Sequence, residues 1–462
     1  QWEHHIDTNP VTKNGVDILT IINNMGYEAY IVGGAVRDLV MDQTPYDIDI
    51  STNCPIDVLD KKFRTHDIGK SKDFGIVVII RGIFNYEIAQ FREDGCYNDG
   101  RRPESVTICG DFKSDSSRRD LTINAMAIDK DGNIIDHFGG MDDMKNKIIR
   151  AVGDPNLRYE EDYLRQLRTI RFAARMDFDV DSDTIDAIKV HKDKIVTLSP
   201  ERIKDELWKM ASQSGDKFVK SLRLMDAMGI LRIILPEVSL MKFFKETEHH
   251  HPEAYIEGLG SVFDHTMAAL KQYHGKDPMV NMSVLLHDIG KPCTHVQDGD
   301  RHTYFGHAGE AKEIIEGIAQ RLKMSTKEKD SLIFASVNHM KMFRGEKMKP
   351  SKIVKLVNDE NWFLLKRVSL CDDKCRGDVF DSDIFHQTIG DMEMISIRWG
   401  SKTVNNTVKV VDGNRIKELT GLKPCKLLGD IKRSVTEYAI DNDISDDKDI
   451  DALIVRFHKE LA

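Results

Sequence analysis

The chain lacks the usual signatures of secreted and membrane proteins. Its seven cysteines are scattered, odd in number and never spaced as C-x-x-C, which argues against a disulfide framework or a zinc ribbon and favours reduced thiols. No apolar run approaches the roughly 18 residues that a membrane span needs. The first residues are polar and show no signal-peptide pattern. We therefore expect a cytoplasmic protein with no membrane partner.

The chain also lacks internal repeats, low-complexity segments and a basic net charge. A net charge of −10 argues against non-specific coating of nucleic acid, although arginines clustered in the first 180 residues are compatible with a local basic groove. The apolar fraction of 40% and the charged fraction of 31% are ordinary for a globular protein. At 462 residues, about two to four domains are expected.

Strand-like runs and helical periodicity occupy different parts of the chain. Before about residue 145, apolar runs alternate with turns, and the last run leads into a hairpin with its turn at Asp131-Gly132. Beyond about residue 150, helical periodicity dominates, and Ser199-Pro200 is a typical helix start. The sequence therefore predicts an α+β head followed by a long helical body.

A pair of glycines follows the apolar strand that ends at Val32. Gly33 and Gly34 let the backbone turn sharply and approach a ligand closely, because neither carries a side chain. The helix predicted after them would point backbone N–H groups at an anion, and Arg37 in its first turn can pair with a phosphate. A plain strand–turn–helix connection would give the same pattern, so the glycines alone do not establish a nucleotide site.

Two aspartates one residue apart follow this turn. In a strand, Asp47 and Asp49 would point to the same face, while Ile48 would face the core. Crowded carboxylates repel each other unless a cation neutralises them, and hard oxygen ligands suit Mg²⁺. Paired metal ions activate the hydroxyl and stabilise the leaving pyrophosphate in nucleotidyl transfer. Glu87, in a later strand-like run, is a candidate third carboxylate.

The arginine-rich segment at residues 160–176 has helical periodicity. With about 100° per residue, apolar side chains cover one side of this helix, and Asp162, Arg165 and Arg168 fan across another. An exposed ion pair between residues three apart would explain the same pattern. Alternatively, Asp162 would accept a hydrogen bond from the exocyclic amine of cytosine or adenine, while Arg165 donates one to an acceptor atom of the base ring. Such a pair would reject uracil and guanine, which present carbonyl oxygens instead.

Taken together, these segments resemble the class II CCA-adding tRNA nucleotidyltransferases, a family of the polymerase-β-like superfamily. The resemblance rests on GGAVRD (33–38), the D-x-D pair, RRDLTINAMA (118–127), EDYLRQLRTIRFAAR (161–175) and ERIKDEL (201–207), which follow the family's order. It implies that Asp47 and Asp49 are catalytic and hold the metal ions. It implies that the nucleotide is bound by Gly34, Arg37, Arg119, Asp162, Arg165, Arg168 and Arg171.

The resemblance also implies a reaction and its partners. The 3′ hydroxyl at the acceptor end of tRNA would attack the α-phosphorus of CTP or ATP without a nucleic-acid template, and pyrophosphate would leave. Residues 91–106 correspond to a flexible loop of the family. Bacterial poly(A) polymerases share the head motifs, but residues 65–79 lack the basic pair with Phe and His that is associated with them. A split enzyme that adds only CC or only A stays an alternative.

Histidines mark the second half of the chain. DHTMAAL (264–270), LLHDIGKP (285–292), GHAGEA (306–311) and NHMK (338–341) resemble an HD-superfamily phosphohydrolase domain, in which His and Asp bind a divalent metal and activate water. The resemblance implies metal ligands at His265, His287, Asp288, His307 and His339. The neighbouring histidine run at residues 249–251 is interpreted as a loop.

The last metal ligand departs from the HD pattern. The final aspartate of that family sits in a segment like A-D-x-R-G, whereas VSLCDDKCRGD (368–378) places Lys374 at its position. Asp373, one residue earlier, is the predicted substitute. Phosphatase or 2′,3′-cyclic phosphodiesterase activity is therefore an open second function. A chain that works mainly as an HD phosphohydrolase is the competing hypothesis.

The predicted fold class is α+β, with four domains along the chain. Residues 1–145 form a polymerase-β-like head with a mixed or antiparallel sheet, and residues 146–255 form a helical neck and body for base recognition and RNA binding. Residues 256–385 form an all-α HD domain, and residues 386–462 a helical tail. The expected cofactors are Mg²⁺ in the head and a second divalent metal in the HD domain. The sequence leaves the oligomeric state open.

Overall fold

A computed structural model describes residues 2–66, 75–94, 106–108, 110–342, 348–400, 403–404, 407–408 and 410–462. The chain divides into two compact units. The first comprises Gln1–Met210 and Lys220–Ile234, and the second comprises Ala211–Val219 and Leu235–Ala462. The finer predicted boundaries at residues 145, 255 and 385 stay predictions. Within the described ranges, no helix combines the length and the apolar character needed to cross a bilayer.

The strands of the first unit are short and follow the apolar runs of the sequence. They are β1 Ala29–Val32, β2 Asp49–Thr52, β3 Thr65–His66, β4 Ile76–Arg81, β5 Phe84–Gln90, β6 Arg92–Asp94, β7 Val106–Ile108, β8 Met126–Ile128, β9 Ile134–Asp136, β10 Ile148–Ile149 and β11 Asp179–Val180. Among the described residues, seven of these strands form one sheet in the order β3-β4-β5-β2-β1-β8-β9. Its neighbouring strands are antiparallel except β2 and β5, which are parallel. The sheet is therefore mixed, as predicted.

Helices connect these strands and cover the sheet. The helices up to residue 234 are α1 Trp2–Thr8, α2 Pro10–Asn24, α3 Gly34–Val40, α4 Ile56–Lys62, α5 Phe112–Ser117, α6 Gly140–Asn146, α7 Pro155–Glu161, α8 Leu164–Met176, α9 Ser182–His191, α10 Pro200–Ala211, α11 Gly215–Ala227 and α12 Leu231–Ile234. Ile18 and Ile22 of α2 are fully buried in one core with Ile31, Ile50 and Ile88 of the sheet. Burying such a side chain contributes about 1.5–3 kcal/mol, so this core holds the strands in register.

The structure confirms the predicted hairpin but not the predicted continuous arginine-rich helix. Strands β8 and β9 pair around the turn that contains Asp131 and Gly132, which confirms the hairpin. The prediction of one continuous helix at residues 160–176 is wrong, because the backbone is extended at Asp162 (φ −153°, ψ 107°) between α7 and α8. The Asp162 carboxylate accepts the Leu164 N–H at 3.0 Å, and this local contact competes with helical hydrogen bonding.

The second unit is mostly helical, as predicted. Its helices after residue 234 are α13 Pro236–Leu240, α14 Pro252–Glu257, α15 Val262–Leu270, α16 Pro278–Leu286, α17 His307–Arg321, α18 Thr326–Asn338, α19 Pro350–Val357, α20 Trp362–Lys374, α21 Ser382–Gly400, α22 Gly413–Thr420, α23 Lys426–Asp441 and α24 Asp447–Leu461. Two short strand pairs depart from the all-α prediction: β12 Val296–Asp298 with β13 Arg301–Thr303, and β14 Thr403–Val404 with β15 Thr407–Val408. Every residue of α15 is buried, so His265 on this helix lies inside the unit.

Candidate functional site

The glycine pair forms a turn that brings bare backbone next to the acidic side chains. Gly33 precedes α3 with φ 72° and ψ −138°, a combination that residues with a side chain rarely adopt. A Cβ built at Gly33 would lie 3.6 Å from Asp49 Oδ2, and one at Gly34 would lie 3.3 Å from Arg37 Nη2. The two glycines therefore keep the space beside Asp49 and Arg37 free of side chains.

Replacing Gly33 with alanine is expected to lower the free energy of unfolding by about 1–3 kcal/mol, because a Cβ strains this positive-φ backbone. Urea denaturation followed by circular dichroism measures the change. Gly317→Ala in α17 is the matched control, since no described atom lies within 4 Å of a Cβ built there and its φ is not positive. This control is expected to keep or raise stability. Equal losses in both variants would contradict the strain at Gly33.

Three carboxylates line one cavity at the mixed sheet. Asp49 begins β2 and lies opposite Glu87 on the parallel strand β5, whereas Asp47 lies in the segment just before β2. Together they line a cavity of about 440 Å³, whose other lining residues are Ile48, His66, Val78 and Asn85. Burial raises the pKa of Asp49 to about 6, and the charges of Glu87 and Asp47 add to this rise. Such crowded oxygen atoms fit a divalent cation, which relieves their repulsion.

His66 and Asn85 line this cavity but were not selected from the sequence. His66 on β3 pairs with Val78 on β4, and Val78 pairs in turn with Glu87 on β5. Directly paired residues share a face of the sheet, so the strand register places His66 on the face of the carboxylates. The apolar runs predict the strands but not how β3, β4 and β5 align, and the sequence therefore carried no usable signal for His66.

Arg37, predicted to bind the nucleotide, is mostly enclosed by protein. Its side chain donates to Asn124 Oδ1, and its guanidinium carbon lies 4.9 Å from the centre of the Phe172 ring. Burial lowers the pKa of Arg37 to about 10, and the nearby charge of Arg175 adds to the effect. Arg37 thus places a buried positive charge directly beneath the Gly34 turn, and its contact with phosphate stays a prediction.

Arg119 is attached to the strand that carries Asp49. Its Nη2 donates to Ser51 Oγ at 3.3 Å and to Asp115 Oδ2 at 3.1 Å. Ser51 follows Asp49 by two residues on β2, so both side chains point to the same face. Arg119 is therefore fixed on the face of β2 that carries Asp49, where its charge partly offsets the rise in the pKa of Asp49, and its contact with a nucleotide stays a prediction.

Asp162 and Arg165 do not form an ion pair with each other within the described residues, and their reading of a base stays a prediction. Arg202 Nη2 of α10 donates to Asp162 Oδ2 at 2.7 Å, whereas Arg165 Nη1 donates to Glu161 Oε2 at 2.5 Å. The extended backbone at Asp162 is the physical reason, because it removes the helical spacing that would align residues 162 and 165. The sequence predicted that these side chains share a region, but it missed Arg202 as the partner of Asp162.

The remaining arginines predicted to bind the nucleotide are held by carboxylates. Arg168 Nε donates to Asp120 Oδ2 and Arg171 Nε donates to Glu206 Oε2, both at 2.7 Å. Their guanidinium groups lie over the Phe172 ring at 5.6 and 4.6 Å from its centre. Burial alone would raise the pKa of Asp120, but the charges of Arg168 and Arg165 and the hydrogen bonds from Asn124 and Arg168 together outweigh burial and keep the pKa below its ordinary value. These ion pairs fix the polar side of α8.

The histidines of the second unit converge on one carboxylate. Asp288 Oδ2 lies 3.4 Å from His265 Nε2 and 3.2 Å from His287 Nε2. Asp288 Oδ1 lies 3.2 Å from His307 Nε2 and 3.4 Å from His339 Nε2. The five residues predicted from the sequence are thus together, and Asp288 stands between two pairs of imidazoles.

The outer nitrogen of each imidazole is held by the protein. The Nδ1 atoms of His287, His307 and His339 contact the carbonyl oxygens of Val284, Tyr304 and Ser336 at 2.6, 2.8 and 2.6 Å. A carbonyl oxygen only accepts, so Nδ1 carries a proton, and Nε2 is the atom that each ring turns toward Asp288. His265 Nε2 and His287 Nε2 are only 3.3 Å apart, and His307 Nε2 and His339 Nε2 are 3.4 Å apart. The Nε2 atoms and the Asp288 carboxylate thus form a compact set of nitrogen and oxygen donors that fits a divalent metal.

The acidic residue of α20 in this cluster is Asp372, so the prediction of Asp373 is wrong. Asp372 Oδ1 lies 3.1 Å from His265 Nε2, and the residue is only 2% exposed. Successive helical residues are about 100° apart, which turns Asp373 away from the histidines to a half-buried position. Lys374 is exposed and does not enter the cluster among the described contacts, so it does not disrupt the site.

Several further groups around the cluster were not selected from the sequence. Lys291 Nζ lies 2.8 Å from Asp288 Oδ2 and 2.5 Å from Glu246 Oε1. Glu253 Oε1 contacts the Nδ1 atoms of His251 and His265 at 2.9 and 2.7 Å. The run at residues 249–251 is a loop as predicted, but His251 contributes its side chain to the cluster. Only the helical spacing of Lys291 after Asp288 was a signal in the sequence.

The cluster opens into a cavity of about 460 Å³. Lys291 and Arg376 line it together with Asp288 and Asp372, so positive side chains lie beside the candidate metal ligands. Burial alone lowers the pKa of His287, but Asp288 and Asp372 raise it to about 9. The cluster thus attracts positive charge, and its cavity fits an anionic ligand next to a metal ion.

Comparison with known proteins places these features in one family. A family model described as "Poly A polymerase head domain" matches residues 29–150, and one described as "Probable RNA and SrmB- binding site of polymerase A" matches residues 177–241. The CCA-adding enzyme of Lactobacillus helveticus is 31% identical over 340 residues, which cover 65% of this chain and 85% of that relative. The CCA-adding enzyme of Bacillus pumilus is 41% identical over 198 residues, which cover 43% of this chain and 49% of that relative.

Solved structures have the same fold over nearly the whole chain. A CCA-adding enzyme of Bacillus stearothermophilus in complex with CTP has a TM-score of 0.69 and 23% identity, covering 98% of this chain and 99% of that one. A Thermotoga maritima CCA-adding enzyme complexed with tRNA has a TM-score of 0.57 and 17% identity, covering 98% of each chain. The mixed-sheet head with a helical body is therefore an established fold.

Proposed function

Because this chain belongs to the CCA-adding enzymes, which are nucleotidyltransferases, we propose that its first unit adds the terminal cytidines and adenosine of tRNA from CTP and ATP. The observation that carries the proposal is the cavity in which Asp47, Asp49 and Glu87 meet, beside the side-chain-free turn at Gly33. The same chemistry was expected from the D-x-D pair, and the register of β2 and β5 adds the third carboxylate.

In the proposed reaction, Asp47 and Asp49 hold Mg²⁺, with Glu87 as an additional oxygen ligand. When bound there, Mg²⁺ activates the attacking 3′ hydroxyl and neutralises charge on the leaving pyrophosphate. The parallel pairing of β2 with β5 sets the two carboxylates side by side on a rigid sheet, so the ligands need little rearrangement. The protein's part in this chemistry is positioning and electrostatics.

The nucleotide is held from two sides in this proposal. Gly33 and Gly34 let the triphosphate approach the backbone beside Asp49, and the buried charge of Arg37 favours an anion there. Arg119 adds a second positive charge on the face of β2 that carries Asp49. The base is read by residues at the α7–α8 break, where Asp162 offers an acceptor to the exocyclic amine of cytosine or adenine.

The direct test supplies the protein with tRNA lacking its 3′ end, Mg²⁺ and one labelled nucleotide at a time. We expect C and then A to be incorporated, with U and G slower by at least about 100-fold. Sequencing of the product ends separates the alternatives: a complete CCA end, a CC or A addition alone, or a long tail of adenosine from a poly(A) polymerase. Equal incorporation of every nucleotide, or none, would overturn the proposal.

The histidine cluster supports a second candidate function, metal-dependent hydrolysis of phosphate esters by the second unit. The supporting observation is that the Nε2 atoms of two imidazole pairs face Asp288 while their Nδ1 atoms are held by the protein. Lys291 and Arg376 give the adjoining cavity positive charge, which attracts an anionic phosphate ester. A phosphomonoester or a 2′,3′-cyclic nucleotide is the proposed substrate class.

A further inference from the structure

His265 is held differently from the other three imidazoles that face Asp288. Its Nδ1 atom lies 2.7 Å from Glu253 Oε1, whereas the other three Nδ1 atoms contact the backbone carbonyl oxygen three residues earlier. The carbonyl three residues before His265 belongs to Val262 and already accepts a hydrogen bond from the Thr266 hydroxyl at 2.9 Å. The direction of the His265 ring therefore depends on a side chain from another helix, α14.

The first turn of α14 brings Glu253 to this position. Glu253 follows Pro252, the first residue of the helix, and is only 5% exposed. Its Oε1 atom also lies 2.9 Å from His251 Nδ1, and the rings of His251 and His265 meet edge to face with their centres 4.8 Å apart. One oxygen thus accepts hydrogen bonds from two ring nitrogens, which favours the charged form of the carboxyl group.

The other oxygen of Glu253 is buried and has no hydrogen-bond partner among the described residues. A buried acceptor without a donor costs free energy, so packing alone does not explain an acidic side chain here. Cys375 Sγ also approaches His265 Nδ1, but at 3.9 Å, and a thiol sulfur is a weak acceptor. Glu253 is therefore the strong acceptor for His265 Nδ1.

We propose that Glu253 is a positioning residue for the metal site of the second unit, which turns His265 Nε2 toward the metal and strengthens metal binding through its charge. A proton fixed on Nδ1 leaves Nε2 as the ring nitrogen that can bind a metal. A carboxylate behind an imidazole ligand orients the ring and raises its basicity, and losing such a partner weakens metal binding about 10- to 100-fold. The inference rests on the proposed metal-dependent hydrolysis and adds a residue outside the histidine pattern that sets metal affinity.

Equilibrium dialysis of the full chain with Mn²⁺ measures both the affinity and the number of bound ions. Glu253→Gln keeps an acceptor for His265 Nδ1 but removes the charge, so the dissociation constant is expected to rise about 10-fold. Glu253→Leu removes the acceptor as well, and a rise of about 100-fold is expected. The number of bound ions should stay the same in both variants. Binding that persists in Asp288→Asn is subtracted, because it belongs to other parts of the chain.

Glu257→Gln is the matched control. Glu257 is an acid of the same helix, and its Oε1 lies 2.8 Å from Lys271 Nζ, so this variant also loses an ion pair. It should bind Mn²⁺ with wild-type affinity. Incorporation of CTP by the first unit should be unchanged in all three variants.

The visible absorption of bound Co²⁺ separates an effect on the metal from general damage to the fold. The spectrum depends on the ligands and their directions, so it should change in Glu253→Gln but not in Glu257→Gln. Thermal melting without metal checks folding, and Glu253→Gln carries the test if Glu253→Leu does not fold.

Two results would overturn this inference. One is wild-type Mn²⁺ affinity with a wild-type Co²⁺ spectrum in folded Glu253 variants. The other is the loss of a bound ion without a change in the affinity of the remaining ions, because Glu253 would then be a metal ligand itself. Failure of the wild-type protein to bind Mn²⁺ at the cluster would instead overturn the proposed metal-dependent function.

Discussion

Replacing Asp49 with asparagine is expected to reduce nucleotide incorporation into tRNA at least about a thousandfold. Asparagine keeps the shape of the side chain but removes the charge with which Asp49, opposite Glu87 and beside Asp47, would hold Mg²⁺. Single-turnover incorporation of labelled CTP measures the chemical step, and titration with Mg²⁺ shows whether excess metal restores it. The rate of incorporation should fall by the same factor for CTP and for ATP, because the carboxylates act on the phosphates and not on the base.

The same variant is expected to be at least as stable as the wild type when no metal is bound. Burial, with the charges of Glu87 and Asp47, raises the pKa of Asp49 from 3.8 to about 6, so the folded protein binds its proton more tightly than the unfolded chain does. The free energy of unfolding therefore falls as the pH rises through this interval, and a neutral side chain avoids that fall. Thermal melting at neutral pH in the presence of a chelator measures the difference.

Asp131→Asn is the matched control, because Asp131 is an exposed acid in the turn between β8 and β9. This control should retain wild-type incorporation and wild-type melting. If Asp49→Asn retained incorporation near the wild-type rate, the carboxylate cavity would not be the catalytic centre. If it lost incorporation only because it unfolded, the melting curves would show this directly.

Replacing Asp288 with asparagine is expected to weaken divalent-metal binding by the second unit at least about 100-fold. Asp288 is the carboxylate that both imidazole pairs face, and it is only 2% exposed. Equilibrium dialysis with Mn²⁺ measures binding without relying on an activity. Hydrolysis of a 2′,3′-cyclic nucleotide should fall in parallel, whereas incorporation of CTP should not.

The two neighbouring aspartates on α20 supply an internal control. Asp372→Asn should weaken Mn²⁺ binding, because Asp372 Oδ1 lies 3.1 Å from His265 Nε2. Asp373→Asn should leave binding unchanged, because Asp373 is turned away from the histidines. Equal effects of the two substitutions, or full Mn²⁺ binding by Asp288→Asn, would refute a metal site at this cluster.

Local patterns in the sequence predicted the groups that lie close together along the chain. The glycine turn and the adjacent His287-Asp288 needed only local geometry, and the D-x-D spacing found the acidic pair, although β2 begins at Asp49 and leaves Asp47 outside the predicted strand. The hairpin of β8 and β9 was predictable for the same reason, because an Asp-Gly turn between two apolar runs specifies it locally.

Contacts between distant segments could not be predicted in this way. The side chain of Asp162 interrupts its own helix and then pairs with Arg202, 40 residues later, which no periodicity indicates. His66 reaches the carboxylate cavity through the register of two strand pairs. The choice between Asp372 and Asp373 depends on the rotation of α20 about its axis, which is set by packing and not by the motif.

The way in which His287, His307 and His339 are held has a consequence for how this site can change. In each case the carbonyl that accepts the hydrogen bond from Nδ1 belongs to the residue three positions earlier. The local backbone therefore fixes the orientation of each imidazole ring. Packing of the helices then only has to bring together three rings whose orientations are already fixed. Helices of this unit could therefore diverge widely in sequence on their outer faces without disturbing the direction of any ring.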